Sequence, residues 1–313
     1  MIAVLATALA FWLGYSVNQS GTCLVSAAHE VVHHRRARRV VGLTVASLAA
    51  GLVTVPLAWS PVGTMLAGST GISLALLSGA VAFGLGALIN DACLLGSLGR
   101  LGNGESRLLA LPLGLATGFL LTLGLYRPNF EVQPSVLSSP SPVNLLVLAS
   151  FLLALVVLIA FLRRSAQKAM GARTAAMSMV VLGLSGGALY ALMPAWAYTD
   201  LLLAHLPFGL GKTKDVALAT VLAAIAGAIF SAYRKRTWRP RGASLRQLGK
   251  TFTGGVLMGT GAALIPGGND SLILAAIPAL SSSGIIAYLV MFLVISLAMM
   301  LARPKSASHL GVG

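Results

Sequence analysis

Nine stretches of the chain contain no Asp, Glu, Lys or Arg: residues 2–18, 40–60, 71–89, 108–126, 145–162, 174–193, 216–233, 251–267 and 284–302. Each reaches or approaches the roughly 20 helical residues that cross a hydrocarbon core. Lipid offers no hydrogen-bond partner to a backbone, so a segment of this kind has to be helical. None shows the short alternating apolar and polar segments of a membrane strand. Between them lie apolar pieces too short to cross, 23–32, 92–99, 194–211 and 271–280. Their length suits re-entrant or interfacial segments, with amphipathic surface loops as the alternative. The fold class is therefore all-α: a polytopic helical membrane protein of about nine transmembrane helices plus short re-entrant helices.

The charges sharpen this picture. Only 9% of residues are charged, 57% are hydrophobic and the mean hydropathy is +0.89, where soluble domains carry about 25% charge. The net charge of +15 invites a nucleic-acid reading only if the cations form one folded basic face. They fall instead in short clusters between the uncharged stretches, so no nucleic-acid partner is expected. Taken over alternate connections, 19 of the 22 cations lie on one side, from Arg35 to Arg39, Arg100 to Arg107, Arg163 to Arg173, Arg234 to Lys250, and Arg303 to Lys305. Arg127, Lys212 and Lys214 remain for the other. By the positive-inside rule the rich side is cytoplasmic, which predicts a multi-pass protein of the cytoplasmic (inner) membrane with its N-terminus outside and its C-terminus in the cytoplasm. Met1–Val17 lacks a basic n-region and an A-x-A site and reads as a retained first span.

With nine spans, spans 1–4 and 6–9 start from opposite sides, which is the arrangement of an inverted repeat. Gly84 to Cys93 aligns with Gly259 to Asn269 once one residue is inserted, and Gly14 to Cys23 aligns more loosely with Gly187 to Trp196. The offsets agree, at 173 to 176 residues. The expected division is 1–126 (spans 1–4), 127–173 (a connector with span 5), 174–302 (spans 6–9) and a cytoplasmic tail, 303–313. Repeats of this type place a site near the midplane, where half-helix N-termini point at an anion.

The residues that offer chemistry sit where the apolar stretches break. Asn18-Gln19-Ser20-Gly21-Thr22-Cys23 closes span one with a glycine and a thiol. Cys93 lies between Asn90-Asp91 and Gly96-Ser97. Pro266-Gly267-Gly268-Asn269-Asp270-Ser271 breaks the chain before span nine, with Asn269 or Asp270 placed to cap the next helix. Its glycines would let backbone amides approach an oxyanion, and Asp270 is expected to face away, toward a cap or a cation. A free cysteine in a membrane protein is otherwise a small buried hydrophobe. No uncharged stretch hides an ionisable group of the usual kind, which argues against a buried proton relay. His29, His33 and His34 beside Arg35 and Arg36 read as a juxtamembrane basic face, and Gly114-x-x-x-Gly118, Gly183-x-x-x-Gly187 and Gly255-x-x-x-Gly259 as close helix contacts. The two cysteines form no CxxC pair, and no GxSxG, HExxH or Walker loop occurs. No metal, cofactor or catalytic residue is assigned, and no enzyme activity is expected.

These motifs resemble the YeeE/YedE family of sulfur-transport membrane proteins, which includes thiosulfate permeases, over most of the chain. Gly14 to Cys23 is similar to the family's first cysteine motif and Gly84 to Arg100 to the second, while Gly259 to Ser271 takes the place of the third. The resemblance implies a narrow path whose thiols pass thiosulfate along by S–H hydrogen bonds, a weak donor suited to sulfur. Here Asn269 stands where the third cysteine would be, in a PGGND form of a less characterised branch. The expected function is a permease for a small sulfur-containing anion such as thiosulfate. The expected substrate-binding residues are Cys23, Cys93, Asn269, Gly21, Asn90, Gly267 and Gly268, with Trp196 and Tyr198 from the repeat counterpart of Cys23. The alternatives are a membrane component that hands sulfur or selenium to a cytosolic sulfur-carrier protein through a cysteine persulfide, or an accessory subunit of a membrane complex.

Overall fold

The structure is a computed structural model and describes residues 2–61, 63–128, 130–165, 172–194, 196, 199, 202, 214–265 and 267–302. Helices dominate it, and among the described residues there is no strand, only the isolated bridges Ser69–Gln133 and Glu105–Arg241. Each uncharged stretch coincides with a helix to within a few residues. These are α1 (Ile2–Ser20), α3 (Arg38–Trp59), α4 (Leu74–Asn90), α6 (Leu111–Leu125, entered by a 3-10 turn over Ser106–Ala110) and α7 (Pro142–Ser165). The rest are α8 (Ala172–Leu192), α9 (Lys214–Arg234), α10 (Leu245–Leu264) and α12 (Ser282–Leu301). Three shorter helical arms follow the breaks: α2 (Leu24–His34), α5 (Leu94–Gly102) and α11, which starts as Asn269–Ser271 and continues as a π turn over Leu272–Ala276.

Among the described residues, seven helical runs are long and apolar enough to cross a membrane, two of them formed by α1 with α2 and by α4 with α5. The expected count of about nine is not matched one for one by these runs, although each of the nine stretches is helical. The described apolar part of α8 spans Ala176–Leu192, shorter than a full crossing, and α10 opens with Arg246, Gln247 and Lys250, which lower its hydropathy.

The long helices form two bundles. In the first, α1 packs on α8 and α9, and α3 on α8 and α7; in the second, α10 packs on α4 and α6, and α4 on α12. The short arms cross between them. α5, which follows α4, lies against α1 and α9; α11, which follows α10, lies against α3 and α8; α2, which follows α1, lies against α12. The pairings α1–α9, α4–α12, α1–α5 and α5–α9 become α8–α3, α10–α6, α8–α11 and α11–α3 when α1, α3, α4, α5 and α6 are exchanged for α8, α9, α10, α11 and α12. Both sets occur.

Glycine sets how closely the helices approach. α4 and α10 run antiparallel with Gly79 facing Gly261 and Gly86 facing Gly254. A Cβ at Gly86 would lie 2.6 Å from the Gly254 oxygen, and one at Gly254 2.8 Å from the Gly86 oxygen. The three expected GxxxG contacts are present: Gly114 and Gly118 meet Gly255 and Gly259, and Gly183 and Gly187 meet Ala46 and Ala50. Such approaches gain backbone packing that lipid does not supply.

The described ion pairs gather at one end. Arg39 pairs with Glu30, Arg100 with Asp91 and Glu105, and Arg107 with Glu105; Arg239 and Arg241 reach Asn103 and Gly104 through their backbone N–H groups. The opposite end is closed by neutral contacts. There the Trp59 indole donates to the Leu137 carbonyl, Ser135 to the Ala279 carbonyl and Ser281 to the Gly68 carbonyl.

Gly86→Ala should lower the thermal stability of the detergent-solubilised protein by about 1–3 kcal/mol or more, the ordinary cost of overpacking. Gly124→Ala is the control, since nothing lies within 4 Å of the added carbon and α6 gains helix propensity. Equal melting temperatures for the two variants would remove the backbone contact as the origin of this packing.

Candidate functional site

Three breaks share one local design. α1, α4 and α10 each end, and a residue with positive φ follows: Gly21 (61°), Asp91 (62°) and Gly267 (100°). Two residues later stand Cys23, Cys93 and Asn269. The left-handed position suits glycine, and aspartate tolerates it through its short polar side chain; the Asp91 carboxylate is held by Arg100 at 3.0 Å. Cys23 and Cys93 are the N-caps of α2 and α5, in extended conformation and with no side-chain capping bond of their own. Gly268 occupies the same N-cap position for α11, at φ −82° and ψ 178°.

The amides left over at these helix starts are taken by the neighbouring arm. Leu24 N–H donates to Cys93 Sγ at 3.3 Å, Cys93 N–H to Cys23 Sγ at 3.5 Å, and Leu94 N–H to Asn269 Oδ1 at 3.3 Å. Both thiols are free and buried, and Asn269 is 2% exposed. The expected trio is thus brought together in space. Gly96 makes room for it, because a Cβ there would sit 2.6 Å from Cys23 Sγ.

The remaining expected residues surround this junction. Gly21 lies at the surface as a turn, its carbonyl accepting from Arg39 at 3.2 Å. Asn90 is wholly buried. Its amide donates to the Ala92 carbonyl (2.8 Å) and Ser97 Oγ (3.0 Å), and its backbone carbonyl accepts from Arg107 at 2.9 Å. Gly267 supplies the turn before Asn269, and a Cβ at Gly268 would lie 2.6 Å from Leu94 Cδ1. Trp196 is 3% exposed and packs edge-on against Tyr190 at 5.4 Å. It lines a cavity of about 180 Å³ together with Leu94, Ser97 and Asp270. Tyr198 lies outside the described residues.

Asp270 departs from expectation. It is 2% exposed, its Oδ2 accepts from the Tyr190 hydroxyl at 3.3 Å, and Oδ1 has no partner. Gly268, not Asn269 or Asp270, is the N-cap of α11, and no cation pairs with Asp270 among the described residues. Counting charges in the uncharged stretches overlooks it, because the re-entrant arm buries a residue that lies between them. Tyr288 also escapes sequence reasoning. It lines a second, apolar cavity of about 400 Å³ beside Leu24 and Ile273, and its buried hydroxyl lacks a partner.

At the cation-rich end the arms are clamped from below. Asn18 at the close of α1 donates to the Gly99 carbonyl (2.8 Å) and Asn103 Oδ1 (2.9 Å), and accepts from Ser231 at 2.9 Å. Lys235 donates to the Asn18 carbonyl at 2.9 Å, and burial pulls its ammonium below the usual lysine range. A vestibule of about 580 Å³ opens there, lined by Arg36, Arg38, Arg39, Arg100, His29 and His34 against Glu30 and Asp91. His29 stacks on His33 at 4.4 Å, and no three metal-ligating side chains cluster among the described residues.

No curated protein matches the chain. A family model described as sulphur transport matches residues 19–178 and 146–297, which spans all three arms and both bundles. This helical protein, with helices apolar enough to cross a membrane, belongs to the sulphur transport family.

Proposed function

We propose that the chain is a permease of the inner membrane that passes a small sulfur-containing anion of the thiosulfate class through the junction of Cys23, Cys93 and Asn269. The observation that carries this reading is the set of crossed bonds from backbone N–H groups to the Cys93 and Cys23 sulfurs and to Asn269 Oδ1. They hold two thiols and an amide at the starts of arms whose N-terminal dipoles favour an anion. Because Leu94 N–H occupies the Asn269 carbonyl, the NH₂ end of that amide is the end left to donate. Gly21, Gly267 and Gly268 shape the turns, Asn90 fixes the Cys93 loop, and Trp196 flanks it. Two inverted halves account for the invariance of the helix pairings under exchange, and a cytoplasmic location accounts for the cation-rich end, whose vestibule collects anions.

The test is uptake of radiolabelled thiosulfate by proteoliposomes, with sulfate, sulfite, selenite and sulfide as competitors. Cys23→Ala and Cys93→Ala should each reduce saturable uptake at least about tenfold, the equivalent of one hydrogen bond of about 1.4 kcal/mol, while the purified protein stays folded. Asn269→Ala should reduce it similarly. Undiminished uptake in both cysteine variants would take the thiols out of the path. A persulfide mass on Cys23 or Cys93 in a protein that moves no free anion would replace permeation by hand-off to a carrier.

Orientation is tested separately with reporter cysteines. Gly242→Cys should react with a membrane-impermeant maleimide in inverted vesicles alone, and Gly71→Cys in intact spheroplasts alone. The reverse pattern would invert the topology.

A further inference from the structure

We infer that Asp270 is a neutral carboxylic acid beside the constriction, and that its proton crosses with the anion. This rests on the permease reading. The residues that follow Cys23, Cys93 and Asn269 are Leu24, Leu94 and Asp270, and all three are buried. A carboxyl therefore stands where the other two arms carry an apolar side chain. One of its oxygens accepts from the Tyr190 hydroxyl of α8, and the other has no partner.

The groups facing it decide its charge. Leu94 and Ser97 of α5 and the Trp196 indole share its cavity, Tyr190 is the titratable group in contact with it, and the Cys93 thiol begins the arm opposite. Among the described residues no Lys, Arg or His pairs with it. A carboxylate desolvated this far without a cation costs several kcal/mol, and binding a proton avoids that cost. The neutral acid then has an O–H to donate to an oxyanion, whereas the carboxylate would repel one. Trp196, whose buried N–H also lacks a partner, lines the same cavity of about 180 Å³. Two neutral donor side chains thus border one space.

The cycle balances without electron transfer. A proton from the outer water forms the O–H bond on Asp270, and the acid donates to the arriving anion. As the anion leaves on the inner side the O–H bond breaks and the proton departs with it. The carboxylate is then protonated again from outside.

The experiment measures thiosulfate uptake and internal acidification together, in proteoliposomes clamped at zero membrane potential with potassium and valinomycin. With wild-type protein an acid-outside gradient should raise accumulation about tenfold per pH unit at one proton per anion, and acidification should accompany uptake. Asp270→Asn, which keeps a donor but has no proton to release, should lose both effects in whatever thiosulfate entry it retains. Tyr190→Phe, which removes a donor to the ionised form, should move the pH midpoint of stimulation upward. Undiminished stimulation in Asp270→Asn, or wild-type uptake without acidification, overturns the inference. Infrared difference spectra provide a reading independent of transport: the carboxylic-acid C=O band at neutral pH should vanish in Asp270→Asn. A carboxylate band there instead overturns the neutral acid. If wild-type protein moves no thiosulfate, the permease reading falls and the coupling with it, while the infrared result separately keeps or removes the neutral carboxyl.

Discussion

A helix that starts inside a membrane protein leaves its first amides without intrahelical partners, at a depth where lipid supplies none. Three arms start this way, at Cys23, Cys93 and Asn269, and their neighbours satisfy part of that need. The start of α2 donates to the sulfur that begins α5, the start of α5 donates to the sulfur that begins α2, and the next amide of α5 donates to Asn269. No single arm holds its geometry alone. That interdependence explains why α5 and α11 lie against the bundle their parent helices do not belong to. Each must cross the molecule to reach its partners.

The crossing is short because the helices beside it come unusually close. Gly79 and Gly86 on α4 face Gly261 and Gly254 on α10, and Gly96 lets the Cys23 side chain rest on the backbone of α5. A methyl group at these places would push the arms apart by more than a hydrogen bond to sulfur can stretch. Polar clamps then fix the depth of the junction from the cation-rich end. Asn18 joins α1 to α5 and α9, and Arg107 ties the Asn90 carbonyl to Thr251 of α10. Every donor and acceptor of the Asn18 amide is used. This is the condition under which a buried polar network contributes rigidity without an unsatisfied group.

Much of this was legible in the sequence. The uncharged stretches marked the long helices, because a backbone in lipid has no alternative to a helix. The glycine spacings marked the contacts, and the motifs ending in Cys23, Cys93 and Asn269 marked the breaks. Hydropathy could not mark the depth of a re-entrant arm, since burial there comes from other helices rather than from composition. The sequence for that reason turns Asp270 toward a cap or a cation, whereas it is buried, at 2% exposure. Asn90 shows the same limit from the other side. Its position beside Cys93 suggests a ligand contact, yet its amide is taken up by Ala92 and Ser97. The π turn of α11 left no mark either, because Leu272–Ala276 is as apolar as any helix of its length.

The distribution of charge bears on how such a junction conducts. Guanidinium groups line the vestibule, where water screens them. At the junction itself the donors are thiols, an amide and helix N–H groups, none with a full charge. A bare Arg in that dry setting would bind a divalent oxyanion with charge-assisted strength, and conduction requires that binding be loose enough to leave. Neutral donors relax that difficulty at the cost of attraction, and helix dipoles restore part of it without a counter-ion to displace. Asn269 brings an amide beside the two thiols, and N–H is a stronger donor than S–H. The next residue, Asp270, adds a buried carboxyl with one oxygen that has no partner.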